Sequence, residues 1–344
     1  MDSPQDLHEF LRSAIRDRGA HSLSAVADFA LQERELYLKG PCIVALACWG
    51  DAGFKRMVEN ALRGQMAKDV SAAIKTLAFI AAGQPLTSLE TFLHDQETLN
   101  EINSFLAGAN LASTAKRRLS ELIMSLPAED LLIPLGSAFT HISFSNPDAA
   151  GEIVAALGSK WLGFGSSELD AFEKMLESQP EDEPSLHAFL EKYPQMLDPM
   201  AVQVWSKPDF HGFKEPDFLI RRSDDSYLVV EIENAEKQII TQAEQPSAYV
   251  TQAVKQVNDY RSFVGERLVE ARHHFPNIHE PDALVVIGLE KSLSSSQAKA
   301  LKQENHSRNK LRIVGFDWIL GRSRAVLTNV TSSKVEVIKG YRVV

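Results

Sequence analysis

The chain has 344 residues, 44% hydrophobic and 24% charged, the make-up of a globular protein large enough for two domains of ordinary size. Its net charge of -10 argues against a protein that coats nucleic acid indiscriminately, and no apolar run approaches the length of a bilayer span. The charge is uneven: residues 291–344 hold 11 Lys or Arg against Glu304, Asp317 and Glu336, a net charge of about +8, so one surface of an acidic protein would attract phosphate. The opening MDSPQDLHEF is polar and acidic and lacks the basic-then-apolar pattern of a secretory signal, which favours a cytoplasmic location. Cys42 and Cys48 lie in an apolar helical stretch and read as buried thiols rather than a disulfide or metal pair.

Residues 1–165 read as almost wholly helical. Leu7, Phe10, Leu11 and Ile15 recur at helical spacing, as do Ile74, Leu77, Ala78 and Ala81. Residues 41–82 read as an antiparallel helix pair, in either a helical-repeat scaffold or an irregular bundle. Residues 146–167 carry Pro147 with several glycines and serines and are the expected domain boundary, giving 1–165 and 166–344. Beyond it come helices at 168–178 and 186–193, then strands at 201–206, 217–221 and 227–232. A long helix is predicted over 246–273, with Tyr249, Ala253, Val257, Tyr260 and Val264 as its stripe. A strand at 283–289 follows, then a helix at 295–303 and strands at 311–316, 325–330 and 335–343. The expected fold is α+β or α/β: an all-helical N-terminal domain, then a mixed-sheet domain.

The segment PDFLIRRSDDSYLVVEIE, 216–233, carries the most information. It is two strand-like runs joined by a polar turn. Asp217 opens the first run, and Glu231 and Glu233 close the second, on one strand face because side chains alternate. Carboxylates at the end of a buried strand, facing another acid, are costly unless something neutralises them. A divalent cation is the usual answer, and an oxygen-rich site of this kind suits Mg2+ or Mn2+.

LHAFLEKYPQML after Ser185, then EPDFLIRR, YLVVEIEN and AYVTQAVKQVNDYRSF together resemble the PD-(D/E)xK nuclease superfamily. Within it they look like the nuclease domain of the Shedu antiphage defence proteins, over roughly residues 166–344. The resemblance implies a restriction-endonuclease-like domain that cuts DNA with Mg2+ or Mn2+. Asp217 and Glu231 would hold the metal with help from the Ile232 carbonyl. Position 233, where the family pattern has Lys, is Glu233, which would bind metal or act as general base. Lys237 would supply the missing positive charge if the chain folds back. Gln256, with Gln252 one turn earlier, would brace the site, Glu183 stands where an acid is common, and His187 takes a position often held by Gln. The resemblance also implies a homo-oligomer, a regulatory helical half and a phage-derived trigger, with no membrane partner.

Each assignment has a structural alternative. Asp217 after Pro216 also suits a strand start, and Glu233 a solvated strand end. Gln252 and Gln256 also read as exposed helix residues, and Lys237 and Glu183 as surface charges. Pro208-Asp209-Phe210 copies the Pro216-Asp217-Phe218 triplet but has no following strand and reads as loop. His273, His274 and His279 straddle Pro276 and read as a solvated cluster rather than a zinc site. No phosphate-binding Gly-rich loop or nucleophile elbow is present. The rival function is a nuclease fold without catalysis, retained to bind nucleic acid or a partner. A second rival places the function in the helical half.

Overall fold

The structure is a computed structural model describing residues 4–33, 35–64, 66–86, 95–142, 146–208 and 215–332. These residues divide into two compact units, the first running to Trp161 and the second covering 162–329, with 330–332 packing with the first.

Among the described residues the first unit is helical: α1 (Pro4–Asp17), α2 (Ala20–Gln32), α3 (Leu36–Ala45), α4 (Gly50–Gly64), α5 (Ala67–Ala81), α6 (Gln96–Gly108), α7 (Ala112–Ser125), α8 (Ala128–Ile142) and α9 (Pro147–Leu162). α5 is its axis. Every residue from Asp69 to Ala81 is buried, and α3, α4, α7 and α8 pack around it. A helix enclosed on all sides has no polar face to keep, and its alanines let neighbours approach closely. The expected helix pair over 41–82 is instead α3, a 3-10 turn at Leu46–Trp49, α4 and α5. The Gly- and Ser-bearing stretch 146–167, within which the two units divide at 161/162, is mostly α9, whose buried Ala149, Ile153 and Ala156 give it a packed face.

The second unit holds α10 (Ser166–Ser178), α11 (Glu183–Lys192), β1 (Ala201–Ser206), β2 (Phe218–Arg222), β3 (Tyr227–Ile232), α12 (Ala248–Glu266), α13 (Leu268–His274), β4 (Asp282–Val286), α14 (Ser295–Ser307), β5 (Leu311–Val314) and α15 (Phe316–Ser332). The strands form one mixed sheet in the order β1-β2-β3-β4-β5, antiparallel from β1 to β3 and parallel from β3 to β5. The tight polar turn after Arg222 makes β2 and β3 a hairpin, whereas the parallel pairs need the helical crossovers α12–α13 and α14.

Both faces of the sheet are covered, so β3 is buried along its whole length. Leu228, Val230 and Ile232 face α10, α11 and α15, and Tyr227 and Val229 face α12. Three expectations are corrected. The helix over 246–273 breaks at Arg267 into α12 and α13. Tyr249, expected in its stripe, is exposed, while Val250, Ala253, Val254, Val257, Tyr260 and Val264 are buried. The strand expected at 325–330 lies inside α15, because Phe316, Ile319, Leu320, Ser323 and Leu327 form a buried stripe at helical spacing. The expected strand at 335–343 and the triplet at 208–210, except Pro208, lie outside the described residues.

Candidate functional site

The face alternation of β3 puts Glu231 on the α12 side, where it continues the row Tyr227, Val229. Asp217 precedes Phe218, which pairs with Val230, so the continued register sets Asp217 opposite Glu231. Pro216 then faces Ile232 and has no N–H for a ladder bond to the Ile232 carbonyl. The Ile232 N–H is taken by the Asp217 side chain, donating to Oδ2 at 2.7 Å. A carboxylate thus replaces a backbone acceptor at the end of the hairpin.

Glu231 is 7% exposed. Its Oε1 accepts from Gln256 Nε2 at 2.9 Å, and its Oε2 is buried with no hydrogen-bond partner. Gln256 reaches it because α12 is capped by Ser247, whose side chain accepts from the Val250 N–H at 3.2 Å, and lays its buried stripe across β3 and β4. Gln256 sits at the edge of that stripe. Gln252, one turn earlier, is exposed. Burial, then the charges of Asp217 and Glu233, push the Glu231 carboxyl up to about 8. Burial likewise raises the Asp217 carboxyl, opposed by the Ile232 N–H, His187 and Lys207. Tyr260, whose hydroxyl donates to the Glu215 carbonyl at 3.2 Å, also interacts with Glu231 and favours its charged form; its own pKa is pushed upward by burial and then by the charges of Glu231 and Asp217.

His187, from α11, stacks on Phe218 with ring centroids 4.5 Å apart and sets Nε2 3.6 Å from Asp217 Oδ1, beyond hydrogen-bonding distance. Its Nε2 and the Gln256 Oε1 are also buried without a partner. Three buried polar atoms lacking a bond thus lie around one pair of acids, which is the environment that a bound polar group would complete.

The chain does fold back after β3. Lys237 Nζ contacts Glu233 Oε2 and lies 3.6 Å from Glu183 Oε2, over the Tyr249 ring at 5.3 Å. Burial opposes the Lys237 charge, but the two glutamates outweigh it and raise its pKa. Burial and then Glu233 raise the Glu183 carboxyl, with Lys237 opposing. Lys237 and Glu183 therefore sit at the acidic cluster, not as lone surface charges. Gly288 makes this return possible. Its φ is +64, its N–H donates to the Asn234 carbonyl at 3.1 Å, and a Cβ there would stand 2.3 Å from the Lys237 carbonyl oxygen. Sequence reasoning missed Asn234 and Gly288, although a glycine closing an apolar strand is a signal for close backbone approach.

A buried acid elsewhere in the chain shows the ordinary solution. Asp69 on α5 is 4% exposed, and Lys39 meets it at 2.5 Å. Glu231 has no such cation. Among the described residues no group of three or more His, Cys, Asp or Glu side chains forms a cage able to hold a metal by itself. The donors brought together are the carboxylates of Asp217 and Glu231. That all-oxygen set suits a hard cation that keeps several waters and does not suit zinc.

Residues 180–320 match the family model described as Shedu protein SduA, C-terminal. This part of the chain is similar to the C-terminal domain of Shedu proteins. A search of curated proteins gives no match. The matched stretch contains Asp217, Glu231, Glu233, Lys237 and Gln256, together with all five strands. No helix among the described residues is long and apolar enough to cross a membrane.

Proposed function

We propose that the chain is a Mg2+- or Mn2+-dependent DNA endonuclease of antiphage defence. The observation that carries this reading is the buried Glu231 carboxylate, half of it fixed by Gln256 and half unpartnered, opposite Asp217 on one sheet face. The order of helix, hairpin, helix and parallel strand, with Pro-Asp at one strand and Glu-x-Glu at the next, supports a restriction-endonuclease-like domain. Asp217, Glu231 and the Ile232 carbonyl would hold the metal. When bound, it would polarise the scissile phosphate and acidify a water.

The chain's own residues have separable tasks. Gln256 fixes Glu231 in one rotamer and leaves Oε2 to point into the site. Asp217 is locked by the Ile232 N–H and by the packing of His187 on Phe218. Glu233, at the position where the family pattern has Lys, is held by Lys237 and would accept the water proton or orient the water. Lys237 restores the missing positive charge from four residues further on. The helical unit would regulate access or respond to a phage-derived trigger, and a cytoplasmic homo-oligomer would set several sites on one duplex.

The test is cleavage of supercoiled and linear DNA by purified protein with Mg2+ or Mn2+, beside Asp217→Ala and Glu231→Ala. Metal-dependent nicking that both variants abolish is the expected result. DNA binding without cleavage under either metal, unchanged by the two variants, would favour a binding module in its place.

A further inference from the structure

Among the described residues, five cations of the C-terminal stretch, Lys299, Lys302, Lys310, Arg312 and Arg322, gather at the opposite end of the sheet from the acidic cluster. Asp217, Glu231 and Glu233 lie where β3 ends, whereas Leu228, Asp282 and Leu311, near the starts of β3, β4 and β5, line a cavity of about 820 Å³ with α14 and α15. Arg222, Lys299, Lys302, Lys310, Arg312 and Arg322 line it too. Its two acids are already used, since Arg222 meets Asp198 and Asp282 at 2.7 Å each. Among the described residues the other five cations form no salt bridge with any acid.

Two of the five are held in place without being neutralised. The Arg312 and Arg322 guanidinium carbons lie 4.5 and 4.7 Å from the Trp318 ring centroid. Cation–π contact orients a guanidinium yet leaves its charge and its N–H fork available. Arg322 is anchored further through Nη2, which donates to the carbonyls of Met196, at 3.1 Å, and Leu197. Burial lowers the Arg322 pKa, and Arg312 and Arg222 lower it further against the opposing pull of Asp198. Like charges are therefore crowded at one end and fixed in direction, which costs stability unless an anion occupies the cavity.

We propose that this cavity binds an anion bearing neighbouring phosphate groups, with a nucleoside polyphosphate as its occupant. Fixed guanidiniums match phosphate oxygens in paired hydrogen bonds, and mobile lysines at the rim add charge. The volume falls in the range of small-ligand sites. The cations converge from α14, α15 and β5 on one hollow, whereas a nucleic-acid backbone needs a stripe along a surface.

Calorimetric titration of the full chain, in EDTA so that the acidic end plays no part, tests this. The probes are inorganic tripolyphosphate, ATP and a short single-stranded oligonucleotide. Tripolyphosphate and ATP should bind one per chain, more weakly as salt rises, and the rim variant Lys299→Glu/Lys302→Glu should weaken both by about tenfold or more. Lys174→Glu, an exposed reversal on α10, is the control and should leave both unchanged. Tripolyphosphate should also raise the melting temperature of the wild type more than that of the rim variant. Binding of the oligonucleotide alone, lost in the rim variant, would keep the phosphate site but overturn the nucleotide as its source. Absence of heat with all three probes, or equal affinities in wild type and rim variant, would overturn the proposal.

Discussion

The two ends of the sheet solve the same problem with opposite signs. At the end of β3, Asp217, Glu231 and Glu233 crowd together, and Lys237 and Gln256 satisfy only part of what they present. At the starts of β4 and β5, arginines and lysines crowd together, and one arginine takes both available acids. Like charges held together in one place destabilise the folded chain, as the Asp69–Lys39 pair shows by contrast. The two ends differ in the sign of the charge left uncompensated, and on the readings proposed above each would take a ligand of the other sign, so variants can separate them.

The largest effect is expected at Glu231. Glu231→Gln keeps the shape and the Gln256 contact but removes the charge. If Glu231 holds the metal as proposed, cleavage of supercoiled DNA with Mg2+ should fall by roughly 10³-fold, since metal binding and water positioning would both depend on that carboxylate. Tripolyphosphate binding at the other end should not change, and a shared loss would break the comparison.

The same residue sets a pH test. Its folded pKa is raised to about 8 from an ordinary 4.5. Below pH 4.5 the carboxyl is protonated in both folded and unfolded chains, and it costs nothing. Between about 4.5 and 8 the unfolded chain ionises while the folded chain keeps its proton, so stability falls as pH rises, by up to about 1.4 kcal/mol per pH unit. Above about 8 the full penalty remains. Denaturant midpoints in EDTA should therefore fall from pH 5 to pH 8.5 in the wild type and fall less in Glu231→Gln. Mg2+ should restore more stability at pH 8.5 than at pH 6, because binding must displace the proton.

Arg222→Ala probes the other end. It strands Asp198, whose side chain is 8% exposed, beside a cluster it no longer helps to organise. A loss of roughly 2–4 kcal/mol in urea denaturation is expected. Asp198→Asn in the same chain should recover part of it, which would separate a stranded charge from lost packing.

How much of this was legible in the sequence differs between the two ends. At the acidic end, the sequence marks Pro216-Asp217 as a strand entry and Glu231 as a carboxylate on a buried strand, and the hairpin register extends to set the two opposite each other. Gln256 came from the family resemblance alone, since the apolar stripe read from the helix leaves it out. The basic end was visible only as an excess of Lys and Arg in the C-terminal stretch. Its cavity joins Arg222 on β2, Lys299 on α14 and Arg322 on α15, and only the sheet order brings these together. The strand expected at 325–330 had the same cause. Its β-branched residues read as a strand locally, but Phe316, Ile319, Leu320, Ser323 and Leu327 form a stripe seen only over a longer window.

The smallest effect is expected where the acidic end depends on backbone. Gly288 has φ +64 and lies against the Lys237 carbonyl, with Asn234 accepting its N–H. Gly288→Ala adds a left-handed penalty of about 1–2 kcal/mol and a methyl where the 234–237 loop passes. The loop must shift, and Lys237 with it. Lys237→Ala removes the same amine without moving the loop. If Lys237 stands in for the lysine that position 233 lacks, both variants should lower cleavage by about tenfold, to similar levels, and the double variant should fall little further. Additive losses would instead mean that Gly288 supports the site through Glu233 and the end of β4, which would leave Lys237 as a counter-charge without a part in cleavage.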